Sequence, residues 1–243
     1  MNTVRTVSDA KRTFYTLHTR PISSIYRRVI DELMVEMHLL SVNVDFSYDP
    51  IYGFGVVSAF DRFMQGYRPE ADVASIFNAL CRSVEGDPQV YRRDAEALGQ
   101  WVIGKSFSDV VNSLLDPSLL EDTFLLREVL TRLKSQGRFK YSRLFAIGLY
   151  TLLELANPEF SKDENCQTEV FTKLCKELNL PLDKLKKDVS LYRSNLEKLA
   201  QAQQVMADIL RADRKQKERR TSGQDKSVTS PTESTSDPAK LES

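Results

Sequence analysis

Residues 99–106, Gly-Gln-Trp-Val-Ile-Gly-Lys-Ser, fit the GxxxxGK[ST] pattern letter for letter. In that pattern glycine-rich backbone amides cradle phosphates, a lysine reaches the outer oxygens, and a Ser or Thr hydroxyl meets magnesium. Gly99, Gly104, Lys105 and Ser106 would then make a nucleotide-binding switch. Such a loop must follow a buried strand and open a helix, so that its amides converge on phosphate. Here the preceding YRRDAEAL is charged and helical in pattern, and Trp101, Val102 and Ile103 suit a helix end better than a phosphate loop. No apolar strand ends in an Asp suited to magnesium either. The preferred reading is a helix C-terminus punctuated by glycine.

Glu32, Glu36 and His38 raise the question of a di-metal site. The ferritin-like site needs Glu-x-x-His on each of two helices, whereas Glu36 and His38 are two apart and point about 200° away from each other on a helix. A polar face carrying Arg27, Arg28, Asp31, Glu32 and Glu36 in i,i+4 pairs is the plainer account, and His18 reads as a surface or capping residue. With two histidines in the chain, and no cysteine beside a candidate base in a recognisable pattern, no triad or metal cage assembles. No catalytic residue, cofactor or metal ligand is expected.

A different chemistry is written into Arg211, Arg214, Lys215, Lys217, Arg219 and Arg220, diluted by Asp213 and Glu218. Such a cluster either stabilises a helix C-terminus through the macrodipole or adds attraction to an anionic membrane surface.

The elements that must position these groups are helical. In the stretch 21–66, Ile22, Tyr26, Val29, Leu33, Met37 and Leu40 recur at three- and four-residue steps, widened by Ile25, Ile30 and Met34, which predicts a helix buried over half its circumference. A second helix opens at Asp49-Pro50 and closes by Gly66. Gly53 and Gly55 inside it weaken it by roughly 1 kcal/mol each unless another backbone approaches, so they are read as a contact face.

Stripes of the same period predict a short first helix (Val7, Ala10, Phe14, Leu17) capped by Thr6 or Ser8, and helices around 73–84, 88–104 and 107–115. Further ones follow at 124–137 with a Gly137 terminus, at 141–155 and at 170–178. The apolar run Leu144–Leu153 is too short to span a bilayer and is read as core. Nowhere does polar/apolar alternation persist long enough for a strand.

After Leu180-Pro181, Leu185, Val189, Tyr192, Leu196, Leu199, Gln203, Met206 and Leu210 step by four and three without a break, a heptad seam. A helix over 183–220 would be on the order of 55 Å long. The seam can pack back on the bundle, pair with itself or take another protein. The Ser-, Thr-, Asp- and Pro-rich residues 221–243 read as disordered. The expected organisation is therefore all-α: a compact multi-helix bundle over 1–181, a long coiled-coil-like helix over 182–220, and a tail.

The 243 residues carry 34 Lys and Arg against 34 Asp and Glu, and zero net charge argues against nucleic acid as partner. Three cysteines without paired spacing suggest free thiols in a reducing compartment. The N-terminus shows no signal-peptide core and leaves no room for a transit peptide.

The strings TVSDAKRTFY, RPISSIYRRVIDELMVEMHLLSVNVDFSYDPIYGFGVVSAFDRFMQGYRPE (20–70) and IFNALC resemble the thylakoid formation proteins, or photosystem II biogenesis factors, of cyanobacteria and chloroplasts. The resemblance covers roughly residues 3 to 200 and looks like the cyanobacterial form. It implies an all-α fold with a C-terminal coiled coil and a non-enzymatic, peripheral protein on the cytoplasmic side of the thylakoid membrane. It further implies a role in photosystem II assembly and repair, with photosystem II components and FtsH-type membrane proteases as partners. It brings no catalytic motif to transfer.

Overall fold

The computed structural model describes residues 5–120, 123–135 and 138–224, with the backbone alone at 210, 213, 214 and 216–224. Among them are ten α-helices, two 3-10 turns and no strand: α1 Val7–Leu17, α2 Ser24–Ser41, α3 Pro50–Phe63, α4 Asp72–Ser83, α5 Pro88–Val102, α6 Phe107–Leu115, α7 Phe124–Lys134, α8 Arg143–Ala156, α9 Glu164–Glu177 and α10 Leu182–Gln224. The short turns are Pro117–Leu119 and Pro158–Ser161. The all-α expectation is borne out. The expected Gly137 terminus and most of the expected tail, residues 225–243, lie outside the described residues, while 221–224 continue α10 as helix.

The helix starts follow from side-chain chemistry. Thr6 and Asp9 close a reciprocal capping box on α1, and Asp49, Asp87, Ser142 and Asp163 each accept from an otherwise unpaired amide in the first turn of α3, α5, α8 and α9. Pro50 and Pro88 sit at the first helical positions, where they lose no hydrogen bond.

Chain contacts divide the protein into two units, 1–199 and 200–243. At the centre of the first lies α3, in which every residue from Pro50 to Val57 is buried. Its principal neighbours are α8 and α5. Residues Leu144 to Leu153 of α8 are buried without exception, so the apolar run is core. Glu154, which ends that run, accepts from the Arg62 guanidinium of α3 and from the Tyr150 hydroxyl.

Of the contact face read from Gly53 and Gly55, only Gly55 lies where the backbones of α3 and α8 meet; Gly53 faces a side chain instead. A methyl added to Gly55 would collide with the carbonyl of Leu144, and one added to Gly148 with the carbonyl of Ile51. The two backbones touch at a level where no side chain fits, and the packing gained there offsets the weak helix propensity of glycine. Over Gly53 lies the phenol of Tyr48, whose hydroxyl donates to Asp94 at 3.0 Å.

His18, expected at the surface or as a cap, is the C-cap residue of α1 but is buried, with Nδ1 3.0 Å from the Ser75 hydroxyl of α4. The α1–α4 contact, not solvent, surrounds it. The three thiols are free, as expected. Burial pushes Cys81 up to about 12 and Cys175 up to about 11.

Asp49 is buried, accepting from Tyr52 N at 2.8 Å. Desolvation pushes its carboxyl up to about 7, against the opposing pull of the Tyr52 amide and the Arg132 charge.

Three outcomes follow for stability. Gly55→Ala should lower the unfolding free energy by more than about 3 kcal/mol or prevent folding, because backbone must move to admit the methyl. Gly99→Ala, in a helix with open space around the added carbon, should raise it by up to about 1 kcal/mol in urea melts. For Asp49, the raised folded-state value means the native chain binds the extra proton between roughly pH 4 and 7, so this group's contribution falls with rising pH and levels off above about 7. Asn caps as well as Asp without ionising, so Asp49→Asn should gain on the wild type across that window by at most about 1.4 kcal/mol per pH unit. Parallel urea melts of the two proteins at pH 5 and pH 8 check this; a pH-independent difference would refute it.

Candidate interaction surface

Residues 99–106 form a helix–turn–helix joint. Gly99 lies inside α5, Ile103 caps its C-terminus, and Gly104 turns the chain at φ +81°, a conformation glycine adopts without strain. Ser106 is the N-cap of α6: its hydroxyl accepts from Asp109 N at 3.1 Å, and the Asp109 carboxylate accepts from Ser106 N at 3.4 Å. The amides of Ile103 and Lys105 donate to Gln100 O and Val102 O, and Lys105 Nζ lies 5.7 Å from the Trp101 ring centroid. Amides a P-loop would turn toward phosphate are thus spent inside the chain. The geometry is not that of a nucleotide site.

The carboxylates of α2 go separate ways. Glu32 pairs with Arg28 at 3.0 Å, as the i,i+4 pattern predicts. Glu36 instead reaches α8, accepting from Arg143 at 2.6 and 2.9 Å and from Leu144 N at 3.2 Å. Burial raises its carboxyl above the usual range although the Arg143 guanidinium opposes this. His38 is buried, and its place two residues along turns it to the other side of the helix from Glu36. Among the described residues no three His, Cys, Asp or Glu side chains are grouped to hold a metal.

The heptad seam has two parts. Leu185, Val189, Tyr192 and Leu199 are buried and Leu196 is partly buried in the first unit, with the Tyr192 ring edge-on to Phe63 of α3 at 5.7 Å. Further along, Gln203 is half-buried and Met206 is 47% exposed; the side chain of Leu210 is outside the described residues. Val205 and Ile209, 57% and 55% exposed, are large apolar residues that the seam does not include. Four apart, they share a helix face, and that spacing was the signal available in the sequence.

Arg211, 3.6 Å from Asp208, and Lys215 are exposed. Arg214, Lys217, Arg219 and Arg220 stand on the same helical backbone. The last turn of α10 holds no basic residue. Because the macrodipole acts within the last turn, it accounts for little of this cluster. No helix of the described residues is long and apolar enough to cross a membrane.

These features define an all-α bundle protein carrying a long amphipathic helix with exposed apolar and basic residues. The chain belongs to the thylakoid formation protein family, whose model matches residues 6–221. It is 58% identical over 220 residues to protein Thf1 of Nostoc punctiforme, spanning 90% of this chain and 94% of that one. It is 45% identical over 238 residues to Thf1 of Acaryochloris marina, spanning 98% and 96%. A solved structure of Psb29 superposes with a TM-score of 0.76 at 44% identity, covering 88% of this chain and 98% of that one.

The capping role of Ser106 separates it from Lys105. Ser106→Ala should cost about 1 kcal/mol through loss of the N-cap, Lys105→Ala less than about 0.5 kcal/mol. Equilibrium dialysis with labelled ATP at millimolar concentration should give no binding to the wild type; binding abolished by Lys105→Ala would contradict the helix–turn–helix joint.

Proposed function

We propose that this chain is a non-catalytic factor in thylakoid membrane biogenesis and in photosystem II assembly and repair. It works as a peripheral protein on the cytoplasmic side of the thylakoid membrane, through protein partners: an FtsH-type membrane protease and photosystem II components. Membership of the thylakoid formation family and the likeness to proteins named Thf1 and Psb29 support the process. The partner-based mode rests on one observation: α10 leaves Val205, Met206 and Ile209 uncovered over little more than one turn, immediately before a basic segment. Exposed apolar side chains grouped on a helix are an anchor for another helix or groove. The basic residues that follow add attraction to an anionic membrane surface. The GxxxxGK[ST] string supports no rival reading, because its hydroxyl and amides already hold two helices.

The test has to spare residues 182–199, since Leu185, Val189, Tyr192 and Leu199 belong to the core. The triple variant Val205→Lys, Met206→Lys, Ile209→Lys should keep the wild-type melting temperature. In affinity purification from gently solubilised thylakoid membranes it should retain at least tenfold less of the membrane protease or photosystem II subunits than the wild type. Equal retention by both would overturn the role given to this helix. Loss of a dimer in sedimentation velocity, with unchanged partners, would assign the stripe to self-association instead.

A further inference from the structure

A second surface lies wholly within the first unit. The outward face of α2 and the first half of α10 flank a cleft of about 1350 Å³ that runs from Ser24 along α2 to Asn43 just past its end, and from Lys184 to Lys198 along α10. At 1.5 Å per residue the α2 wall is roughly 28 Å long, the length of about five helical turns. Its floor is the Glu36–Arg143 pair beside Tyr141. Leu39 of α2 and Leu191 of α10, 58% and 43% exposed, both line it, with half-buried Val35 on the α2 side.

The charges in this cleft are unequally satisfied. Three of the four carboxylates are in ion pairs, Asp31 with Lys11 at 3.5 Å, Glu32 with Arg28 and Glu36 with Arg143, while Asp188 accepts from the neutral Tyr141 hydroxyl at 2.8 Å and keeps its charge. The cations Arg27, Lys140, Lys184 and Lys198 are exposed, and none is in an ion pair among the described residues. Arg27 donates to the carbonyl of Ile22 at 3.1 Å, and Lys184 lies 4.9 Å from the Tyr141 ring centroid, neither of which neutralises a charge. A trough with apolar side chains set among polar ones on both walls, and with four unpaired cations against the one unpaired carboxylate of Asp188, selects an occupant that is helical, apolar along one face and acidic beside it. A bilayer surface, being flat on this scale, does not reach the floor between two helices.

We infer that the α2–α10 cleft is a docking site for an acidic amphipathic helix of a partner protein. The site is distinct from the Val205–Ile209 stripe, and the two stand or fall separately.

The experiment uses the full chain in a cyanobacterial host, with photoreactive benzoylphenylalanine placed at position 39 and, in a second protein, at position 191. After irradiation the cross-linked peptides are identified by mass spectrometry. The proposal expects both positions to capture one segment of another protein, with apolar residues at i, i+3, i+4 and i+7 and an excess of Asp and Glu. Combining either probe with Lys140→Glu and Lys198→Glu should cut the yield at least tenfold while the melting temperature stays unchanged. If the charge reversals unsettle the fold, Lys140→Gln and Lys198→Gln should still lower the yield several-fold. Capture of lipid, of a second copy of this chain, of residues 225–243 or of a segment without acidic excess would overturn it. So would the absence of any cross-link, or a yield indifferent to the lysines.

Discussion

The bundle depends on the place where α3 and α8 touch without side chains between them. Gly55 and Gly148 let each helix rest on carbonyls of the other, Leu144 and Ile51. Once those axes are fixed, side chains of both helices are committed: ten consecutive residues of α8 and eight of α3 are inside. The polar groups at the edges follow from the same geometry. Arg62 on α3 meets Glu154 on α8, and Arg143 at the start of α8 meets Glu36 on α2, so ion pairs lie where the close-packed pair reaches its rim. These pairs are partly buried, so the desolvation of each charge offsets much of the attraction between them.

Outside that centre, α10 does two things with one pattern. Its first half supplies Leu185, Val189 and Tyr192 to the core, and from residue 200 it presents Val205, Met206 and Ile209 to solvent. A step of three and four guarantees an apolar stripe on a helix; it carries no information about what covers the stripe. Residues that look equivalent in the repeat therefore have different roles, and substitutions at Leu199 and Met206 report on folding and on surface respectively.

Much of this architecture was legible in the chain. Asp49-Pro50, Asp87-Pro88 and Thr6 mark helix starts because capping is local chemistry, settled within four residues. Gly55 stood out because glycine inside an apolar helix needs a reason, yet its counterpart Gly148 is 93 positions away and no periodicity links them. His18, read as a surface or capping residue, does cap α1, but a lone polar side chain says nothing of the Ser75 hydroxyl waiting on α4. The surfaces were harder. Val205 and Ile209 lie off the heptad seam, and the cleft beside α2 exists only because α2 and α10, about 160 residues apart in sequence, come to flank one trough.

The joint between α5 and α6 bears on how a motif can match and still be silent. The start of α6 is an anion-binding place, as every helix N-terminus is, but its anion is Asp109, attached three residues downstream. A tethered carboxylate acts at an effective concentration far above that of any free metabolite, and it loses no translational freedom on binding. A phosphate arriving from solution would have to displace a competitor that never diffuses away. The letters of a nucleotide loop persist in this chain as a site that supplies its own ligand.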